Sequence, residues 1–204
     1  VYKRQGLHRF VDPVDNETYL YSQFEVPDSR RVFPVFEQPD MKATFAFNVI
    51  ASQHWEVFSN SPTPRPNDLG EFADLAESQD SAIWQFAPTP PISSYITAIV
   101  AGPYAGVRDS LVSSDGETVP LGVFCRASLA SHLDAENIIE TTKAGFAFFE
   151  EQFQTPYPFE KYDQIFVPEF NAGAMENAGC VTFVESYVFR SRATEATVER
   201  RDVT

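Results

Sequence analysis

The sequence predicts a mainly β protein whose C-terminal part turns α+β. Three observations carry that prediction. Over residues 17–25 aromatic and polar side chains alternate, the period of a strand with one buried face. Between Lys42 and Gly102, apolar runs of strand length are separated by proline-rich and polar turns, the texture of antiparallel sheets. Helical periodicity begins only after Asp134. The texture changes past Gly116, so the chain divides into residues 1–117 and 118–204.

Taken in order, the 17–25 strand sets Gln23 and Glu25 on one face, because side chains two apart share it. Pro27 and Asp28 end it, and residues 29–34 read as a short helical turn entering an irregular loop. Residues 42–51 make a strong strand and 56–60 another. The loop 61–70, with Pro62, Pro64 and Pro66, belongs on the surface. It is not a domain linker, because strands of the same type continue on both sides. Strands at 81–87 and 96–102 bracket the turn Pro88-Thr89-Pro90-Pro91, and residues 121–126 form a short strand. Asp134 is placed to cap a helix that sets Ile138, Thr142, Gly145, Phe146, Phe149 and Phe153 on one face. The stripe of Phe146, Phe149 and Phe153 is expected to be core. Pro156 and Pro158 stop the helix. Strands follow at 164–166 and 181–184, and a polar helical stretch begins at Thr194.

Composition narrows the function. Apolar residues make up 43% of the chain, enough for a packed core. The net charge of -14, from 15 basic and 29 acidic side chains, argues against nucleic acid or an anionic membrane as the main partner. No apolar run reaches membrane-spanning length, and the basic residues 1–5 are not followed by the apolar stretch of a signal peptide. Cys125 and Cys180 lie far apart in apolar, strand-like runs, so two buried thiols in a reducing compartment, the cytoplasm, are expected. The chain starts without Met and ends at Thr204 with no stop signal, so both ends read as cut from something longer.

The chemistry available is limited. None of His8, His54 and His132 belongs to a His-Glu-x-x-His pair. His132 and Glu136 are four apart, but the helix should start between them, and zinc needs three or four protein ligands. There is no Cys-x-x-Cys, no Gly-x-Ser-x-Gly and no phosphate loop. What stands out is the segment 167–179, small residues between two strands with one carboxylate, Glu176. Glycine and alanine let another backbone come close. A carboxylate beside such a backbone suits a ligand that is both peptide and cation.

The segment Asn171-Ala172-Gly173-Ala174-Met175-Glu176-Asn177 resembles the exopeptidase motif Gly-Ala-Met-Glu-Asn of the aminopeptidase N family of zinc metallopeptidases. A given pentapeptide arises by chance in a chain this long less than about once in ten thousand. Tyr21-Ser22-Gln23-Phe24-Glu25 looks like the family's substrate-contacting strand. Arg31-Val32-Phe33-Pro34-Val35-Phe36-Glu37-Gln38-Pro39 is similar to its Arg-x-x-Phe-Pro-Cys-Phe-Asp-x-Pro signature, with Val35 for the usual Cys and Glu37 for the usual Asp. Pro156-Tyr157-Pro158-Phe159 with Lys161-Tyr162-Asp163 also matches. The resemblance runs in order along nearly the whole chain and is nearest to the bacterial aminopeptidases N.

That resemblance implies a fold and a set of roles. The fold is the later part of an N-terminal antiparallel β-sandwich, saddle-like domain, then the truncated start of a thermolysin-like catalytic domain. Glu176 corresponds to the glutamate that binds the substrate's free α-ammonium, and Glu25 to a second carboxylate there. Gln23 corresponds to a residue lining the first side-chain pocket, with Met175 nearby. Gly173 and Ala174 correspond to backbone that pairs with an extended substrate, and Asn177 closes the motif. The family's zinc motif, third ligand and transition-state tyrosine would follow Thr204. The 204-residue chain is therefore expected to bind no zinc and to be inactive alone, while the parent removes N-terminal residues from peptides with a free N-terminus. The favoured first residue and the oligomeric state stay open. A rival reading is a β-rich binding or scaffold module of the same family that lost its metal. The residues encoded after Thr204 decide between them.

Overall fold

Alternation builds the first sheet. In the structure, a computed structural model that describes residues 6–76, 78–191 and 195–203, β1 (Gly6–Val11) pairs antiparallel with β2 (Thr18–Gln23). Tyr19 and Tyr21 of β2 are fully buried. The described residues form two compact units, Val1–Tyr104 and Ala105–Thr204.

In the first unit, β2 also pairs antiparallel with β6 (Ile99–Gly102), and β6 with β4 (Glu56–Ser59). The resulting four-stranded sheet has the order β1-β2-β6-β4. A separate two-stranded sheet joins β3 (Asn48–Ser52) to β5 (Ser81–Gln85). Phe24, Val57, Phe58 and Val100 add to the core at 1% exposure or less. Tyr104 meets Tyr19 edge-on at 5.1 Å and Phe58 at 6.2 Å between ring centroids. Burying each such ring stabilises the fold by roughly 1.5–3 kcal/mol.

The strand expected over 42–51 begins only at Asn48. Before it, Ala43 forms an isolated bridge with Ile92, and Phe45 exchanges hydrogen bonds with Thr89. The facing segment holds Pro88, Pro90 and Pro91, which have no N–H to give, so no regular ladder forms. That segment carries the chain from one sheet to the other, since β5 and β6 lie in different sheets. The helical turn expected after Asp28 is a 3-10 turn, Ser29–Arg31. Glu37 secures it by accepting the Ser29 hydroxyl at 2.6 Å and the Arg30 amide at 2.8 Å.

The second unit opens with a hairpin of β7 (Tyr104–Val112) and β8 (Thr118–Arg126). Its turn is closed by Ser113 N–H to the Glu117 carbonyl at 2.9 Å. The change of texture near residue 117 is this hairpin turn, which lies inside the second unit. A helix, α1 (Ala135–Phe153), then carries the chain to β9 (Tyr162–Val167), which lies parallel to β8. Parallel neighbours need such a crossover. β11 (Cys180–Val184) is parallel to β9, and β10 (Ala174–Met175) is antiparallel to β11. The five-stranded order is β10-β11-β9-β8-β7. Ile138 and Ile139 of α1 share one apolar cluster with Leu121, Val123 and Phe166 of the sheet. A last helix, α2 (Glu195–Asp202), ties to α1 where Asn137 donates to the Asp202 carboxylate at 3.1 Å.

Two expectations for α1 need correcting. Asp134 sits at the N-cap but makes no side-chain cap bond, and its carboxylate pairs with Arg201 at 3.2 Å. The phenylalanine stripe is only partly core. Phe146 packs between Tyr157 and Tyr162, at 4.9 and 5.3 Å. Phe149 and Phe153 are 55% and 71% exposed. The buried apolar contacts of α1 with the sheet centre on its first turns, and near its end only Glu150 is buried. There the two exposed rings stack on each other beside a cavity of about 730 Å³ that Tyr157, Tyr162 and Phe183 also line.

Candidate functional site

The loop after β9 is shaped by its own residues. Glu169 takes a left-handed φ of 57°, uncommon for a residue with a side chain, and Phe170 turns inward at 7% exposure. Asn171, Ala172 and Gly173 are exposed. β10 follows, in the register Ala174↔Phe183 and Met175↔Thr182. It is the edge of the sheet, next to β11 alone. Val184 N–H donates to the Gly173 carbonyl at 3.0 Å. In an antiparallel ladder successive residues alternate between inner and outer bonding, so Ala174 turns its N–H and C=O to the open side.

Side chains alternate as well. Met175 is 1% exposed and points into the unit, whereas Glu176 is exposed. Its carboxylate has no hydrogen bond or ion pair among the described residues. Asn177 is 1% exposed, and its amide reaches the Thr182 hydroxyl at 3.4 Å. The Cys180 amide donates to the Asn177 carbonyl at 3.0 Å, closing a turn in which Gly179 has a φ of 68°. A glycine meets that left-handed requirement without strain. The loop therefore offers an open backbone edge and one free carboxylate, a fit for an extended peptide carrying a cation.

In the first unit, Gln23 is the last residue of β2 and is 4% exposed. Its side-chain oxygen accepts the Glu25 amide at 3.2 Å. Glu25 is exposed and lies in the turn that follows. The two residues do not share a strand face as alternation predicts, because the strand ends first. The Asp28 amide bonds the Phe24 carbonyl at 3.2 Å, and Phe24 is buried, so the chain folds over at Glu25.

Other chemistry is scarce. Among the described residues, no group of three or more His, Cys, Asp or Glu is placed to hold a metal ion, so no step through a metal follows from this chain. His132 ends a 3-10 turn, Ala127–His132, and α1 starts at Ala135, so His132 and Glu136 do not share a helix. Burial pushes the thiols of Cys125 and Cys180 each up to about 12, which leaves them protonated and poor nucleophiles. No described helix is long and apolar enough to cross a membrane. Sequence reasoning missed the functional interest of Lys161 and Asp163, whose charged side chains are both buried behind the loop. Opposite charges two apart, Lys161-Tyr162-Asp163, were the available signal.

The Peptidase M1 N-terminal domain matches residues 2–96, and the Peptidase family M1 domain matches residues 138–204. The chain is 58% identical to aminopeptidase N of Streptomyces lividans over 98% of its own length and 22% of that protein. It is 33% identical to aminopeptidase Ey of Gallus gallus, over 92% of this chain and 18% of that protein. With aminopeptidase N of Homo sapiens the identity is 32%, over 90% of this chain and 18% of that protein. The chain thus spans about a fifth of the length of the curated relatives it matches. With the N-terminal domain and the M1 domain matched in order, and the Gly173–Asn177 motif on the sheet edge, the chain belongs to the peptidase M1 family.

Proposed function

We propose that this chain is the substrate-anchoring part of a zinc aminopeptidase that removes N-terminal residues from peptides. The observation that supports it most is the exposed Glu176 carboxylate directly after an edge strand. An exopeptidase must count from the chain end, and the terminal ammonium is the one charged mark that all its substrates share. Ala174 pairs through its open backbone with the extended substrate, Gly173, whose carbonyl is engaged by Val184, leaves room for that approach, and Glu176 takes the substrate's ammonium by charge-assisted hydrogen bonds. Glu25, in the first unit, corresponds to a second carboxylate for a substrate ammonium. Gln23 lines a pocket for the first side chain, and Met175 and Asn177 belong to the motif of the second unit. A blocked or internal peptide brings no cation and leaves the Glu176 carboxylate unneutralised.

Zinc belongs to the parent protein in this reading, on residues that follow Thr204. When bound, it supplies an activated water for attack on the peptide carbonyl. The two unpaired, buried thiols support a cytoplasmic place of action.

The test uses the full-length protein. Glu176→Gln is expected to lower kcat/KM on a free-amine aminoacyl anilide by ~100-fold, the scale of losing one partner of a desolvated ion pair. Glu25→Gln is expected to act in the same direction. Zinc content should not change in either variant, and metal loss would contradict the anchoring role. Wild-type parent without turnover would leave the rival reading, a binding module. The 204-residue chain alone is expected to show no zinc-dependent turnover.

A further inference from the structure

Lys161 and Asp163 are outside the residues that the proposed function uses, yet they are charged and 5% exposed. The Lys161 ammonium donates to Asp163 Oδ2 at 2.7 Å and to the Gly179 carbonyl at 2.7 Å. The same carbonyl accepts the Asp163 amide at 3.1 Å. Space for the carboxylate comes from the neighbouring strand. Gly122 faces Asp163 in the β8–β9 register, and a Cβ there would clash with Asp163 Oδ1.

An ion pair removed from water adds little net stability unless it is well bonded, and its best-attested use is to select one arrangement among several. The arrangement selected here is the turn that closes the Glu176 loop. Gly179, with its two donors, is the turn's left-handed residue, and Glu176 stands just ahead of the turn. Since the Glu176 carboxylate has no side-chain partner among the described residues, the backbone alone sets its place. We propose that Lys161, neutralised by Asp163, is a positioning residue for Glu176: its ammonium clamps the Gly179 carbonyl and thereby fixes where the anchoring carboxylate stands. This rests on the ammonium-anchor role of Glu176. Binding groups must be held within about 0.5 Å of their working geometry, so a freed turn blurs recognition of the substrate's end.

The test is the double variant Lys161→Met with Asp163→Asn in the full-length protein. Removing both charges together leaves neither one buried and unpaired, which guards against simple failure to fold. Hydrogen exchange across residues 171–180 is expected to speed up by at least ~10-fold, while α1 exchanges as before. The preference for an amino-acid amide over its N-acetyl form, read as the ratio of inhibition constants, is expected to fall by ~10-fold with KM rising more than kcat falls and zinc content unchanged. Loop exchange as slow as in the wild type would overturn the proposal, and so would faster exchange with an unchanged ratio. A wild-type protein that does not distinguish the amide from its N-acetyl form would instead sink the anchor role of Glu176, and the exchange result would still decide whether the pair holds the turn.

Discussion

Two glutamates of the second unit, Glu150 and Glu176, show what a fold does with a carboxylate. Glu150, near the end of α1, is buried and fully engaged. Its Oε1 accepts the Ser113 hydroxyl at 2.6 Å and the Tyr157 amide at 2.8 Å, and its Oε2 accepts the Ser114 amide at 2.8 Å. It joins the β7–β8 turn to the exit of the helix. A negative charge near a helix C-terminus is unfavourable by itself, and these donors offset that cost. Glu176 is exposed, and no described residue bonds its carboxylate. One carboxylate is consumed by structure. The other is kept open, which is what a ligand requires.

The contrast breaks most visibly if Glu150 is removed. Glu150→Ala strips the acceptor from two amides and a hydroxyl, worth about 3 kcal/mol in all when hydrogen bonds to a charged group contribute ~1.5–3 kcal/mol each and add incompletely. Exchange of the Ser114 and Tyr157 amides should rise by ~100-fold, the rate equivalent of that energy. Glu176→Ala should leave the same amides within about twofold of the wild type, as surface changes do. Equal effects of the two variants would erase the distinction drawn between them.

A smaller effect concerns pH. The Ser113 hydroxyl, first, and then the Tyr157 and Ser114 amides hold the Glu150 carboxyl below its ordinary value of 4.5, against the opposing pull of burial. A carboxyl with a depressed folded value contributes stability that is fully present above its unfolded value. That contribution is lost as pH falls from about 4.5 through the lower folded value. Glu150→Gln should therefore narrow its gap to the wild type as a stability titration moves below pH 4.5. A gap that stays constant down to the acid limit would mean that the charge contributes nothing.

How much of this was legible beforehand follows from what periodicity can carry. The span of α1 and the strands around 121–126 and 181–184 came from local pattern, and the structure has them; the Gly173 to Asn177 segment lies between β9 and β11 as expected but itself forms the short strand β10, which its small residues did not announce. Phe149 and Phe153 show the limit. Spacing says that they share a face, but not that the sheet contacts fade before the helix ends. β7 was missed because most of its residues are exposed on an edge, without alternation. Burial of the Lys161–Asp163 pair depends on the missing side chain at Gly122, a neighbour across the sheet that no local window contains. Glu150 and Glu176 are likewise indistinguishable by type, since the donors around Glu150 come from a hairpin far upstream and a turn just downstream.

A third carboxylate sharpens the comparison with the smallest expected effect. Asp109 on β7 accepts the Lys143 ammonium at 2.6 Å, as short a contact as any that Glu150 makes. The Lys143 hydrogen bond, followed by that of the Ser110 amide, lowers the Asp109 carboxyl from its ordinary value. Yet the two side chains are 40% and 39% exposed. Water competes for both groups, and ordering a long lysine costs entropy, so exposed pairs contribute little. Lys143→Ala should change exchange of the β7 and α1 amides by less than about twofold. A large acceleration would show that a short contact suffices to make a carboxylate structural. A null result would place the distinction where Glu150 and Glu176 put it, in burial among donors that water cannot replace.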